Sequence, residues 1–213
     1  PASIHAVLFT HDHTDHCNGI GAFSKRYPVR LLANQGTSEG IEQVCRGFAP
    51  EWEIFETASA FDLGGLRVEA FTVSHDAADP VGFVFDDGAS RLCLATDLGQ
   101  ASSLVRAKLS QCHAAILESN HDLDMLMGSN RPWTLKTRIA GRSGHLSNDE
   151  AAELVTTSLS ARLHTLLLAH LSGECNTPAL ALGTMRRALR AAGREDVRVE
   201  VLSQSQASAR IVF

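Results

Sequence analysis

Short apolar runs closed by glycine, aspartate or serine recur along this chain, and they alternate with stretches whose apolar positions repeat at helical spacing. Ile4 to Phe9, Val29 to Ala33, Trp52 to Phe55, Leu66 to Ser74, Val81 to Asp86, Arg91 to Ala95, Ala114 to Glu118, Thr165 to Ala169 and Val197 to Leu202 are rich in Val, Ile, Leu and Phe and predict strands. The other spacing predicts helices over Asn18 to Arg26, Thr37 to Arg46, Ala101 to Ser110, Asn148 to Arg162 and Pro178 to Ala192. The order is mixed α/β, with a hairpin from Val81 to Ala95 that turns at Asp86-Asp87-Gly88. Two helix starts are well marked: Ser147-Asn148-Asp149-Glu150 has the form of a capping box, and Thr177-Pro178 supplies an N-cap followed by proline at the first helical position.

Composition narrows the picture. A chain of 213 residues with 44% hydrophobic content can bury a sizeable core, and with no internal repeat or linker, residues 1–213 are expected to form one domain. Apolar stretches such as Leu166 to Ala169 are far too short to cross a bilayer and Pro1 begins no leader, so a soluble protein with no membrane partner is expected. The cysteines Cys17, Cys45, Cys93, Cys112 and Cys175 form an odd, scattered set without a Cys-x-x-Cys pair, which suits a reducing, cytoplasmic compartment. A net charge of −5 speaks against broad affinity for polyanions while leaving room for a local basic groove.

The chemistry is concentrated in His11-Asp12-His13-Thr14-Asp15-His16, which directly follows the first strand. Imidazoles and a carboxylate at this spacing offer ligands for zinc, manganese or iron. Three later strands also end in a metal-competent side chain, at His75, Asp97 and His170. A strand that stops at a ligand holds it rigidly, so repeated use of the device predicts one shared site at a sheet edge.

In this order, His11-x-His13-x-Asp15-His16 followed by His75, Asp97 and His170 resembles the metallo-β-lactamase-fold hydrolases, whose fold is an αββα sandwich with two metals at one edge. The resemblance implies that His11, His13 and His75 hold a first divalent metal ion, that Asp15, His16 and His170 hold a second, and that Asp97 lies between them. Finer matches are similar to the YycJ/VicX (WalJ) group of that family: Ser74-His75-Asp76-Ala77 with Pro80-Val81-Gly82-Phe83, Glu118-Ser119-Asn120-His121-Asp122, Pro132-Trp133, Gly144-His145-Leu146-Ser147-Asn148 and His170-Leu171-Ser172. That group is associated with DNA exonuclease activity, so nucleic acid, DNA in the first place, is the implied substrate. Members of the fold start with further strands that do not precede Pro1, so the sandwich is expected to lack its first strands; an edge left open in this way could pair with a second copy to give a homo-oligomer.

Two metal ions can bridge and activate a hydroxide, so no Ser or Cys nucleophile is needed. What remains is a proton for the leaving alkoxide. His145, two residues before the N-cap Ser147, is expected beside a helix N-terminus that attracts phosphate oxygens and disfavours the imidazolium, and a similar His-Ser helix start is found in the fold's transfer-RNA 3′-processing nuclease. Asp15 and His145 are therefore the expected catalytic residues. Substrate contacts are expected from Ser147 and from the basic stretch containing Arg131, Trp133, Lys136, Arg138 and Arg142, which has no acidic residue. That stretch fits a solvated face as well. Glu118, Asn120 and His121 fit equally the task of satisfying backbone groups after a strand, while His5, His113, His164 and Trp52 carry no pattern beyond packing or surface roles. Two other functions stay open: an acyl hydrolase of the same fold, such as a thioesterase or lactonase, and a metal-binding protein without catalysis.

Overall fold

A computed structural model describes residues 4–208 and 210. Among them the chain runs β1 (Ala6–Leu8), α1 (Thr14–Cys17), α2 (Ile20–Arg26), β2 (Arg30–Ala33), α3 (Gln35–Val44), β3 (Trp52–Ile54), β4 (Ala60–Leu63), β5 (Leu66–Thr72), β6 (Val81–Asp86) and β7 (Arg91–Ala95). It continues through α4 (Ser103–Leu109), β8 (Ala114–Glu118), α5 (Leu123–Gly128), α6 (Trp133–Ile139), α7 (Asn148–Thr157), β9 (Thr165–Ala169), α8 (Pro178–Ala191) and β10 (Arg198–Val201). A 3-stranded parallel sheet has the order β1-β2-β3, and a 7-stranded mixed sheet has the order β10-β9-β8-β7-β6-β5-β4.

Period-2 alternation in the strands builds the layers. In β2, Leu31 and Ala33 face the helices α2 and α3 with Ile20 and Ile41, while Leu32 faces the other sheet. In β5 and β6, Val68, Ala70, Val81 and Phe83 pack toward Leu32 and Phe55 between the sheets, whereas Phe71 and Val84 point to the opposite side. There they meet Val105 and Leu109 of α4, Leu154 and Val155 of α7, and Met185 and Leu189 of α8. Helices, sheet, sheet, helices is the αββα sandwich expected.

Topology then fixes where the chemistry collects. β7, β8, β9 and β10 are mutually parallel, and β5 shares their direction across the antiparallel β6, so the carboxyl ends of β5, β7, β8 and β9 lie on one edge. Val81 N donates to Thr10 O at 2.9 Å, which ties the end of β1 to the same edge.

Several elements escape the periodic pattern. β4 is half polar, and its signal is the Gly64-Gly65 pair that links it to β5, both residues having positive φ (64° and 86°) as a tight hairpin turn demands. α1, α5 and α6 are too short to display a period. α7 stops at Thr157, ahead of the predicted Arg162, where Ser158 N closes a tightened last turn on Val155 O at 3.0 Å. Its start is a full capping box, with Glu150 N donating to Ser147 Oγ (3.2 Å) and Ser147 N donating to Glu150 Oε2 (2.8 Å). Ser147→Ala is expected to cost about 1 kcal/mol, read as a lower urea midpoint with an unchanged m-value. No helix among the described residues is long and apolar enough to cross a membrane.

Candidate metal centre

The strand ends converge. His11 leaves β1 buried, and its Nδ1 lies 3.0 Å from Thr10 Oγ1; His13 precedes the single turn α1, which presents Asp15 and His16 on the same side. His75 follows β5, Asp97 follows β7, Glu118 ends β8 and His170 follows β9. Asp97 and His170 both adopt left-handed backbone, with φ of 58° and 57°, a conformation uncommon outside glycine.

Ligand atoms of His11, His13 and His75 lie within 4.8 Å of one another, as do those of Asp15, His16 and His170. Asp97 reaches toward both sets, with Oδ1 at 3.3 Å from His170 Nε2 and 3.9 Å from His75 Nε2, and Oδ2 at 3.4 Å from His16 Nε2. The hydrogen bonds reveal which nitrogens carry lone pairs. His75 Nδ1 faces Gly144 O at 3.0 Å and His13 Nε2 faces Asp76 O at 3.2 Å; a carbonyl only accepts, so those nitrogens hold the hydrogens. Their opposite nitrogens, His75 Nε2 and His13 Nδ1, are therefore lone pairs, and they meet at 3.2 Å. His11 Nε2 and Asp97 Oδ2 are buried in the same place without a hydrogen bond. Acceptors packed against acceptors in a buried site are repulsive unless a cation sits among them, so this donor set fits divalent metal ions.

Charge states agree with that fit. Burial, reinforced by the neighbouring imidazoles, pushes His11 down to about 3, which keeps it neutral and ready to coordinate. Burial pushes Asp97 the other way, but His16, His170 and His11 outweigh it and hold the carboxyl well below the usual range.

Glu118 is fully buried and has its oxygens occupied: Oε1 accepts from His145 Nδ1 at 2.8 Å and His170 Nδ1 at 2.9 Å, and Oε2 accepts from Leu98 N and Leu146 N, both at 3.1 Å. With four donors on it, Glu118 orients the two histidines and does not present itself as a ligand. For His170, burial opposes protonation, but Glu118 and Asp97 overcome it and raise the ring to about 9 in the absence of a cation. The same balance raises His145. This corrects the expected electrostatics: a buried carboxylate, and not the start of α7, governs the charge of His145, and it favours the imidazolium. Sequence reasoning left Glu118 as one of several residues after a strand, although a strand ending in a carboxylate is the same signal that marked His75, Asp97 and His170.

A second supporting carboxylate was also missed. Asp12 Oδ1 accepts from Ala78 N at 3.0 Å, fastening the histidine-rich loop to the loop after His75. A Cβ on Gly40 of α3 would come within 2.4 Å of Asp12 Oδ2, so the close approach requires glycine there.

A cavity of about 970 Å³ opens on the centre, with Asp15, Asp97, His145 and His170 in its lining, Arg131, Leu135 and Arg138 along one wall, and the start of α8 opposite. Of the expected substrate contacts, Arg131 and Arg138 line it, held by Glu174 (3.0 Å) and Asp76 (2.5 Å). Trp133 is 67% exposed on α6 beside them. The others point elsewhere. Lys136 lies on the inner face of α6, 8% exposed, with Nζ donating to Met127 O at 2.6 Å, so its charge anchors the helix. Arg142 lines a separate recess with Arg106, Glu150 and Glu153, and the Ser147 hydroxyl is engaged in its capping box.

Comparison with known proteins agrees with this architecture. A family model described as a β-lactamase superfamily domain matches residues 1–170. The chain is 32% identical over 191 residues to an exodeoxyribonuclease YycJ of Bacillus anthracis, covering 89% of this chain and 72% of that protein. It is 34% identical over 188 residues to an exodeoxyribonuclease WalJ of Streptococcus pneumoniae serotype 2, covering 87% and 70%. In three dimensions it is similar to the metallo-β-lactamase fold protein YhfI of Bacillus subtilis, with a TM-score of 0.67 at 15% identity over 94% of this chain and 76% of the other. A matching family model, relatives that align over most of both chains, and strand ends that gather histidines and aspartates at one edge together make the chain a member of the β-lactamase superfamily with the metallo-β-lactamase fold.

Proposed function

We propose that this chain is a metal-dependent nuclease that hydrolyses phosphodiester bonds, with DNA as its substrate and attack from a strand end. The observation that carries the reading is His145, held by the buried Glu118 at the floor of the cleft beside the convergent histidines and Asp97. Relatives named exodeoxyribonucleases at 32% and 34% identity support DNA as the polymer.

In this reading His11, His13 and His75 hold one divalent cation, Asp15, His16 and His170 hold a second, and Asp97 contributes to both. Two such cations, zinc or manganese with iron as a third candidate, would supply positive charge to polarise a phosphoryl group and lower the pKa of a water. The chain's own residues do the rest. With Nδ1 donating to Glu118, His145 keeps a proton on Nε2 to deliver to the leaving oxygen or to a phosphate oxygen. Glu118 fixes the tautomer of His170 in the same way, leaving its Nε2 lone pair toward Asp97 and Asp15. Arg131 and Arg138 on the cleft wall suit backbone phosphates, and the exposed Trp133 suits a stacked base.

The test offers end-labelled single- and double-stranded DNA and RNA, a thioester and a lactone to the purified chain, with and without a chelator. Chelator-sensitive cleavage of DNA is expected. His145→Ala is expected to lower kcat about 10² to 10⁴-fold with bound metal unchanged. Preferential turnover of the thioester or lactone would replace the reading with an acyl hydrolase, and unchanged kcat in His145→Ala would remove His145 from the mechanism.

A further inference from the structure

Two cysteine sulfurs meet behind the histidine-rich loop. Cys17 ends α1, directly after Asp15 and His16, and lies buried in the small core with Ile20 and Ile41. Cys45 follows α3 and packs against the same core, with its Sγ 3.9 Å from Cys17 Sγ and 3.8 Å from Cys17 O. Cys17, Cys93, Cys112 and Cys175 are buried and Cys45 alone of the cysteines is partly exposed, so Cys45 is the thiol that a small solute reaches. A reachable thiol poised against a second, buried one is the arrangement in which oxidation ends in a disulfide.

We infer that Cys45 and Cys17 form an oxidation site for peroxides, and that the disulfide made there weakens the cation group of Asp15, His16 and His170. Cys45 sulfur attacks one oxygen of hydrogen peroxide, the O–O bond breaks, and water leaves while Cys45 becomes a sulfenic acid. Cys17 sulfur then attacks Cys45 sulfur, the S–O bond breaks, and the hydroxyl leaves with the Cys17 proton as a second water. Two thiols have thereby given two electrons and two hydrogens to one peroxide.

Two features carry the effect to the loop. In the reduced protein Cys17 Sγ donates to Asp12 O at 3.5 Å, and the new bond removes that hydrogen. Closing 3.9 Å to an S–S bond of about 2.05 Å also draws the two elements together. α3 is anchored against β2 through the fully buried Ile41, whereas α1 is a single turn of four residues, so α1 yields and takes Asp15 and His16 with it. The covalent step stands without any metal; its consequence for the cations rests on the metal-dependent function proposed above.

The experiment treats the metal-stripped full chain with hydrogen peroxide, maps its disulfides by mass spectrometry of unreduced peptides, and titrates Mn2+ by calorimetry before oxidation, after it, and after reduction with dithiothreitol. Wild type and Cys45→Ser are compared. In wild type a Cys17–Cys45 linked peptide is expected, with Cys93, Cys112 and Cys175 still free. One of two Mn2+ ions is then expected to bind about 10 to 100-fold more weakly, and dithiothreitol to restore it. Cys45→Ser is expected to bind Mn2+ as reduced wild type does, before and after peroxide. Absence of the linked peptide, a different pair linked first, full linkage with unchanged binding of both ions, or the same loss of binding in Cys45→Ser would each overturn the inference. Should Cys45→Ser fail to fold, by circular dichroism, Cys45→Ala is read by the same criteria. Failure of the reduced wild type to bind Mn2+ at all, with the linked peptide present, would instead overturn the metal reading, which separates the two failures.

Discussion

Glu118→Ala is expected to destabilise the fold by about 3–5 kcal/mol and to depress turnover at least as far as the loss of His145 does. Glu118 has no exposed surface and serves four donors at 2.8 to 3.1 Å, two of them imidazoles and two of them backbone amides. Alanine would leave Leu98 N and Leu146 N without acceptors inside the core, and each such group costs about 1–3 kcal/mol. It would also free His145 and His170 to rotate. Urea unfolding and kcat, measured together, check both halves. Glu118→Gln separates them, because it fills the space but sets an amide donor against groups that themselves donate. Its stability is expected to fall between wild type and Glu118→Ala while its kcat stays low. An unfolding free energy for Glu118→Ala within about 0.5 kcal/mol of wild type, the range of ordinary surface substitutions, would show that the carboxylate does not hold this corner of the fold.

The second large effect is expected from Asp97→Ala. Asp97 is the carboxylate whose two oxygens lie against both histidine sets, at 3.3 Å from His170 and 3.4 Å from His16, with His75 at 3.9 Å. Its removal is therefore expected to strip both proposed cations, whereas His11→Ala touches the first set alone. Metal analysis of the purified variant should show metal content close to zero. Losing several kcal/mol of transition-state stabilisation corresponds to a fall in kcat of about 10³-fold or more. Retention of both ions by Asp97→Ala would remove it from its bridging place.

Much of the scaffold was legible in the residues. Val81–Asp86, Arg91–Ala95, Ala114–Glu118 and Thr165–Ala169 are strands at their predicted bounds, because central strands are continuous apolar runs with sharp polar ends. β4 and the short helices α5 and α6 were not, since half-exposed elements of this length carry no period. The convergence of His11, His13, Asp15, His16, His75, Asp97 and His170 follows from ligands at strand ends once the strands share a direction. What composition hides is the way a side chain points. Lys136 and Arg142 count as charges in a basic stretch, yet one spends its ammonium on Met127 O and the other lines a different recess. Glu118 was ambiguous because its partners come from the β7 and β9 loops and the start of α7, distant in the chain and adjacent only after folding.

The left-handed backbone at Asp97 and His170 sets the protein's durability against its reactivity. Holding a residue with a side chain at such a φ costs about 1–3 kcal/mol, and glycine at either position would release it. At His170, however, glycine would also take a donor from the buried Glu118, so the relief there is offset, whereas at Asp97 it would exchange the bridging carboxylate for an unstrained backbone.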